Sequence, residues 1–105
     1  MSRWVIVAHL DDLPENQPMP FELDDEALVL VRQGDRVYAF QDLCSHMEYP
    51  LHDGHIEGNV ITCAYHGAKF DIETGDVLAL PAFEPIRTYP VRVRDGQVYV
   101  NLNEA

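Results

Sequence analysis

The stretch "CAYHGAKF" at residues 63–70 places a histidine three residues after a cysteine, giving the pair Cys63 and His66. Spacing of this kind is typical of a tight metal-binding turn. Gly67 follows the histidine and lets the backbone approach a bound group closely. The stretch therefore predicts half of a metal site on a turn between two β-strands.

A second pair, Cys44 and His46, lies upstream in "CSH". Side chains two residues apart point the same way only in extended backbone. Cys44 and His46 can therefore bind one metal centre together only if their loop is extended. Sixteen residues separate His46 from Cys63. The chain has no other cysteine. Two thiolates and two imidazoles in two mixed pairs predict one metal centre built from two loops.

The composition limits the class of protein. The chain has 105 residues, enough for one domain, and its 47% hydrophobic content is that of a globular protein. Eighteen acidic against seven basic residues give a formal net charge of -11. Such a surface repels polyphosphates and anionic lipids, so we expect neither nucleic acid nor a membrane as a partner.

The N-terminal region indicates the compartment. Its apolar run covers only residues 4–8 before His9 and two aspartates. This run is too short for a signal peptide or a membrane span, so we expect a cytoplasmic protein. Cysteines in that compartment are reduced, and they are more often ligands or catalysts than disulfide partners.

The hydrophobic pattern predicts an all-β fold, because short runs rich in β-branched residues alternate with turn residues and no helical period is sustained. A hairpin turn is expected at residues 33–35, a tight one at 95–96, and a bend or sheet edge at Pro90. The polar stretch after the first strand, which contains Pro14, Pro18 and Pro20, is predicted as a surface loop. A further long stretch without a strand pattern runs from residue 42 to 57. The strands are predicted at 3–9, 26–32, 36–41, 58–63, 68–72, 76–80, 86–94 and 97–102.

These motifs resemble those of the Rieske iron–sulfur family. That family has Cys-x-His followed by Cys-x-x-His-Gly, and "DLCSH", "GHIEGNVITCAYHGAKFDIETGDVL" and "PAFEP" are similar to its three cluster loops. The resemblance implies a Rieske-like antiparallel β sandwich with a small cluster-binding subdomain of loops. It implies a single domain over residues 1–105, with the subdomain at about 42–85.

The resemblance also implies the cofactor and its ligands. One [2Fe–2S] cluster would be bound, with Cys44 and Cys63 on one iron and His46 and His66 on the other. These four residues are the predicted site, and no catalytic residue is expected. The family member implied is a ferredoxin that carries one electron from a flavin-dependent, NAD(P)H-dependent reductase to a terminal ring-hydroxylating oxygenase.

The residues after His66 indicate a low reduction potential. High-potential family members carry a serine directly after the His-Gly and a tyrosine two residues later, whose hydroxyls donate to sulfur. Here those positions are Ala68 and Phe70, and neither side chain donates a hydrogen bond. We therefore expect a potential near the low end of the Rieske range, roughly -150 mV.

Charge near the loops indicates how partners would dock. No lysine or arginine occurs between Arg36 and Lys69, whereas four acidic residues lie in or beside the first loop. We expect an acidic rim that docks on basic patches of the partner proteins. The four residues are Asp42, Glu48, Asp53 and Glu57.

Other interpretations of the four ligands remain open. A structural zinc module is one, although zinc sites usually have two to four residues between paired ligands. A redox disulfide or unrelated buried thiols are another. A Rieske oxygenase would need a further domain for a mononuclear iron, and the small subunit of an assimilatory nitrite reductase has the same fold.

Several neighbouring residues have two interpretations each. His52, Asp53 and His55 could form a second metal site, but Asp53-Gly54 favours a solvated turn. Met47 and Tyr65 adjoin the predicted histidine ligands and could form a docking face or simply cover the site. Four residues could shield the cluster or serve only as loop packing: Tyr49, Pro50, Leu51 and Pro81.

Overall fold

Eleven β-strands and one short 3₁₀ turn make up the computed structural model, which describes residues 3–44, 49–65, 67–80 and 84–102. No α-helix occurs in these ranges. The strands are β1 (Trp4–His9), β2 (Met19–Leu23), β3 (Glu26–Gln33), β4 (Arg36–Gln41), β5 (His55–Glu57), β6 (Val60–Thr62), β7 (Lys69–Asp71), β8 (Val77–Ala79), β9 (Thr88–Tyr89), β10 (Val91–Arg94) and β11 (Gln97–Asn101).

The strands form three antiparallel sheets. The first has the order β1-β11-β10, the second β2-β3-β4-β9 and the third β5-β6-β7-β8. All named strand pairs are antiparallel. The predicted all-β antiparallel sandwich is confirmed. In the third sheet β6, β7 and β8 fall on predicted strands, whereas β5 falls in the stretch 42–57, where no strand was predicted.

Strand β3 explains how the layers stack. Its residues Leu28 to Val31 are all buried, a continuous apolar run rather than the alternation of a half-exposed strand. Leu28 and Leu30 belong to a core shared with the first sheet, whereas Val29 and Val31 belong to a core shared with the third sheet. The second sheet is therefore the middle layer, and a separate hydrophobic core lies on each of its faces.

The turns follow the sequence closely. The predicted hairpin between β3 and β4 turns at Gly34, whose φ is +64°. The predicted two-residue turn between β10 and β11 has positive φ at both Asp95 (53°) and Gly96 (77°). Positive φ at both central residues is the geometry that matches the twist of a β-hairpin.

Two differences from the predicted strands involve prolines. Residues 19–23 lie in a stretch predicted as a loop because of its prolines, yet they form β2 at the edge of the second sheet, where Pro20 needs no second hydrogen-bonded neighbour. The predicted strand 86–94 is two strands, with the expected bend at Pro90 between them. At Pro90 the chain leaves the second sheet, where β9 pairs with β4, and enters the first, where β10 pairs with β11.

No helix among the described residues is long and apolar enough to cross a membrane.

Candidate metal centre

Three connections surround the predicted site, and we name them by their place in the chain. The first loop covers residues 42–54 between β4 and β5, and the second loop covers 63–68 between β6 and β7. The third loop covers 80–87 between β8 and β9. Of the predicted ligands, Cys44 and Cys63 lie in the described residues; His46 and His66 lie outside them.

Both cysteines are buried in one core. Cys44 is 2% exposed and Cys63 is 1% exposed, and both belong to the hydrophobic core between the second and third sheets. Neither cysteine forms a disulfide among the described residues. The structure therefore brings together the two predicted sulfur ligands, which come from loops nearly twenty residues apart in sequence.

The same backbone hydrogen bond closes both loops. The Cys44 N–H donates to the Tyr49 carbonyl at 2.9 Å, and the Cys63 N–H donates to the Ala68 carbonyl at 2.8 Å. Each bond spans five residues along the chain, and each predicted histidine ligand falls inside one of these closed segments. In each half of the site, a cysteine therefore begins a segment that one backbone hydrogen bond closes.

Gly67 completes the second closure. Its N–H donates to the Cys63 carbonyl at 3.1 Å, and its φ of +74° is in the left-handed region that favours glycine. This conformation returns the chain to β7 directly after the predicted ligand position 66. In the sequence, this turn is indicated by Gly67 directly after His66.

Close backbone contact also joins the first loop to β6. A Cβ atom on Gly54 would lie 2.1 Å from the Thr62 carbonyl oxygen and 3.1 Å from the Leu51 carbonyl oxygen. Only glycine permits this approach. The end of the first loop therefore packs directly against the residue that precedes Cys63.

The environment of the two thiols is apolar. Leu51, Ala68 and Phe70 are fully buried in the same core as the cysteines. Leu51 therefore packs with the site, whereas Tyr49 and Pro50 are half-buried and Pro81 lies outside the described residues. The side chains of Ala68 and Phe70 supply no hydrogen-bond donor, as the sequence predicted.

Gln41 connects the first and third loops. Its side-chain amide donates to the Leu43 carbonyl at 2.7 Å, and its side-chain oxygen accepts from the Arg87 N–H at 2.8 Å. The Ile86 N–H donates to the Gly75 carbonyl at 2.9 Å, which ties the end of the third loop to the turn before β8. Sequence reasoning missed these contacts, since nothing in the local pattern marks Gln41.

A chain of polar side chains runs along the first loop. His52 lies with Nδ1 2.6 Å from Asp42 and Nε2 3.4 Å from Asp53. The Tyr65 hydroxyl donates to Asp53 at 2.6 Å, and the Tyr65 ring stacks on Tyr49 with centroids 4.5 Å apart. The bond to Asp53 is the main cause that raises the pKa of Tyr65 above its usual value.

The structure bears on two predictions about the first loop. The Leu51 carbonyl accepts from the Gly54 N–H at 2.9 Å, which confirms the turn at Asp53-Gly54. Asp42, predicted on the acidic rim, has a side chain only 7% exposed and faces His52, whereas the side chains of Asp53 and Glu57 are 43% and 79% exposed. Glu48 and Met47 lie outside the described residues.

The described donors fit an iron–sulfur cluster. Two buried thiolates without a compensating charge would be costly, and metal ions supply that charge. Soft sulfur ligands select iron–sulfur clusters or zinc over the cations that prefer carboxylates. Within the described ranges no group of three or more histidine, cysteine or acidic side chains is placed so that it could hold a metal ion.

The resemblance to the Rieske family implied an antiparallel β sandwich whose two cysteines lie on two separate loops, and the structure has this arrangement. The sequence profile of the Rieske [2Fe-2S] domain matches residues 3–90, and the chain belongs to that family. The resemblance stated from the motifs is therefore confirmed.

Within the family, the chain is similar to ferredoxin components. It is 34% identical to the anthranilate 1,2-dioxygenase ferredoxin subunit of Burkholderia cepacia, over 97% of this chain and 94% of that one. The ferredoxin of carbazole 1,9a-dioxygenase from Nocardioides aromaticivorans IC177 has a TM-score of 0.90 and 40% identity, over 94% of this chain and 97% of that chain.

A third match shows such a ferredoxin with its partner. The solved complex of reduced oxygenase and oxidized ferredoxin in carbazole 1,9a-dioxygenase matches with a TM-score of 0.86 and 31% identity. The match covers 93% of this chain and 92% of that chain.

Proposed function

We propose that the chain is a Rieske-type ferredoxin, a one-electron carrier between an NAD(P)H-dependent flavin reductase and a terminal ring-hydroxylating oxygenase. The observation that carries this proposal is the match to dioxygenase ferredoxin components over nearly the whole of both chains. It acts as an electron-transfer component of a dioxygenase system, in the cytoplasm, rather than as an oxygenase.

Four residues would hold the cluster. Cys44 and Cys63 are proposed to bind one iron, and His46 and His66 the other, an arrangement supported by the two buried thiols and the matching loop closures. The bound cluster supplies the chemistry of accepting and releasing one electron.

The protein's own residues would set the environment of that electron. The apolar core around Cys44 and Cys63 excludes water from the sulfur side, and burial in a low dielectric disfavours added negative charge. Ala68 and Phe70 donate no hydrogen bond that would stabilise it. Together these features support a potential near roughly -150 mV, the low end for Rieske centres.

Electron transfer between purified components tests the proposal. Anaerobically prepared protein should be reddish-brown, accept one electron from a flavin reductase and pass it to a terminal oxygenase. A colourless protein containing zinc would indicate the structural module instead. Stable co-purification with a sirohaem subunit would indicate the nitrite reductase alternative.

Replacing Ala68 with serine should raise the midpoint potential. The added hydroxyl would donate toward sulfur beside Cys63, and one hydrogen bond of about 0.5 to 1.5 kcal/mol corresponds to roughly 20 to 60 mV for a one-electron couple. Protein-film voltammetry measures the shift. Ala39→Ser is the matched control, since Ala39 is equally buried but in the other core, and it should leave the potential unchanged. An unchanged or lower value for Ala68→Ser would refute the hydrogen-bond argument.

Reversing a charge on the acidic rim should slow reduction of the oxygenase. Glu57 has a side chain 79% exposed, next to the first loop. Glu57→Lys should lower the second-order rate constant by roughly threefold at about 0.01 M salt, from one reversed charge about 10 Å from a basic patch. Stopped-flow measurements over a salt series would show the difference disappear as salt rises.

Asp12→Lys is the control for this experiment. Asp12 lies in the 3₁₀ turn after β1, beside the core that contains no cysteine. It should change the rate less than Glu57→Lys. Equal effects of the two variants would show that docking responds only to net charge and that the rim has no special part.

A further inference from the structure

The two cysteine loops lack a covalent link. The first loop lies between β4 and β5, the second between β6 and β7, and the chain has no cysteine beyond Cys44 and Cys63 with which to join them. A cluster bound by both loops requires their separation to be held constant. Something other than a disulfide must do this.

An aromatic pair crosses from one loop to the other. Tyr49 of the first loop and Tyr65 of the second stack with ring centroids 4.5 Å apart and an interplanar angle of 18°. This is within the range of favourable stacked geometry. The two rings therefore make a direct side-chain contact between the two cysteine loops.

Each tyrosine is tied to the cysteine of its own loop. The Tyr49 carbonyl accepts the hydrogen bond from the Cys44 N–H, and Tyr65 lies inside the segment closed by the bond from Cys63 to Ala68. Movement of either ring is therefore coupled to movement of a cysteine backbone. The stack therefore joins the two segments that begin at Cys44 and Cys63.

The second ring is also anchored to the base of the first loop. The Tyr65 hydroxyl donates to Asp53, which lies 3.4 Å from the His52 ring. The His52 N–H donates to the nearly buried Asp42 carboxylate at 2.8 Å, and its ring nitrogen Nδ1 lies 2.6 Å from the same carboxylate. Asp42 precedes Cys44 by two residues, so these contacts link both ends of the first loop to the second.

We propose that Tyr49 and Tyr65, with Asp53 holding the Tyr65 hydroxyl, form an interloop clasp that fixes the separation of the two cluster-binding loops. Both tyrosines are positioning residues. This inference rests on the proposed cluster. The stacked pair and the hydrogen bond to Asp53 would hold the two loops together in place of a disulfide.

The clasp should govern local opening more than global unfolding. Tyr65 is 48% exposed, so its contacts contribute little to the core. Local opening of a loop has its own free energy, separate from that of the whole domain. Loss of the stack should therefore appear in the rate of cluster loss and in the spread of cluster geometries.

The experiment compares Tyr65→Leu, Tyr49→Leu and the double variant in the cluster-loaded protein. Bleaching of visible absorbance with an iron chelator gives the rate of cluster loss. Each single variant should lose the cluster about two to ten times faster, the range expected for one aromatic pair. The double variant should be no faster than the faster single variant, because both remove the same stack.

Two further variants separate positioning from general damage. Tyr65→Phe keeps the stack and loses the bond to Asp53, so its rate should fall between those of wild type and Tyr65→Leu. Tyr99→Leu removes a tyrosine of the first sheet whose hydroxyl donates only to Gln97 among the described contacts, and it should leave cluster loss unchanged. Electron paramagnetic resonance lines should broaden in Tyr65→Leu and not in Tyr99→Leu.

The outcomes distinguish the clasp from the proposed function. If the double variant loses the cluster at the product of the two single effects, or if Tyr65→Leu matches Tyr99→Leu, the clasp is refuted while the electron carrier stands. Wild-type protein that binds no iron–sulfur cluster would refute both. No partner protein is needed for these measurements.

Discussion

Replacing Cys63 with serine abolishes the iron–sulfur cluster and lowers the free energy of unfolding by about 3 kcal/mol or more, a loss expected because metal binding and folding are coupled. Cys63 is 1% exposed and lies in an apolar core. The serine hydroxyl is a poor substitute for a thiolate ligand and is left in apolar surroundings. Iron content and the midpoint of chemical unfolding measure the two effects.

Ala68→Ser is the control for this substitution. It places a hydroxyl in the same buried core while all four predicted ligands remain, so this variant should retain its colour. Cys44→Ser should behave like Cys63→Ser, since Cys44 begins the other loop with the same backbone closure. Retained colour and unchanged unfolding in Cys63→Ser would contradict its role as a ligand.

Replacing Gly54 with alanine should have the second largest effect. The added Cβ would lie 2.1 Å from the Thr62 carbonyl oxygen, and a backbone atom cannot move aside as a flexible side chain can. The first loop must shift away from the residue before Cys63. We expect a loss of about 3 kcal/mol or more in the free energy of unfolding, and incomplete cluster loading.

Gly58→Ala is the comparison for this variant. Gly58 has a φ of +58°, but an added Cβ there would meet no atom within 4 Å. Its cost should be only about 1 kcal/mol, from the left-handed backbone conformation. Chemical unfolding and iron content are measured for both variants. Equal losses of unfolding free energy and of iron in Gly54→Ala and Gly58→Ala would show that the close approach at Gly54 is unimportant.

The two cysteine loops could be predicted from the sequence because the proposed metal chemistry restricts residue type and spacing together. Cys44 and Cys63 were expected at one site, and both lie buried in one core. The flanking strands β4, β6 and β7 were also expected, since each coincides with a β-rich run next to a turn residue. Local pattern was sufficient for these features.

Strand β5 shows where local pattern fails. His55–Glu57 has only three residues and one apolar side chain, Ile56, so nothing distinguishes it from loop. Pairing with β6 makes it a strand, and that pairing depends on the close approach at Gly54. A strand defined by its neighbour cannot be found from its own residues.

The polar and aromatic contacts between loops were missed for a related reason. Tyr49 and Tyr65 are sixteen residues apart, and Asp42 and His52 are ten apart. No period of a helix or strand brings such residues together. Only the folded path of both loops does so, although an aromatic residue near the ligands of each loop was visible in the sequence.

Pulsed electron paramagnetic resonance of the dithionite-reduced protein tests the central claim most directly. Two thiolates and two imidazoles on one [2Fe–2S] cluster predict hyperfine couplings from two histidine nitrogens, one from His46 and one from His66. Substituting either histidine with alanine should remove that signal or the cluster. A paramagnetic cluster without nitrogen coupling, or a protein with zinc and no iron, would contradict the account.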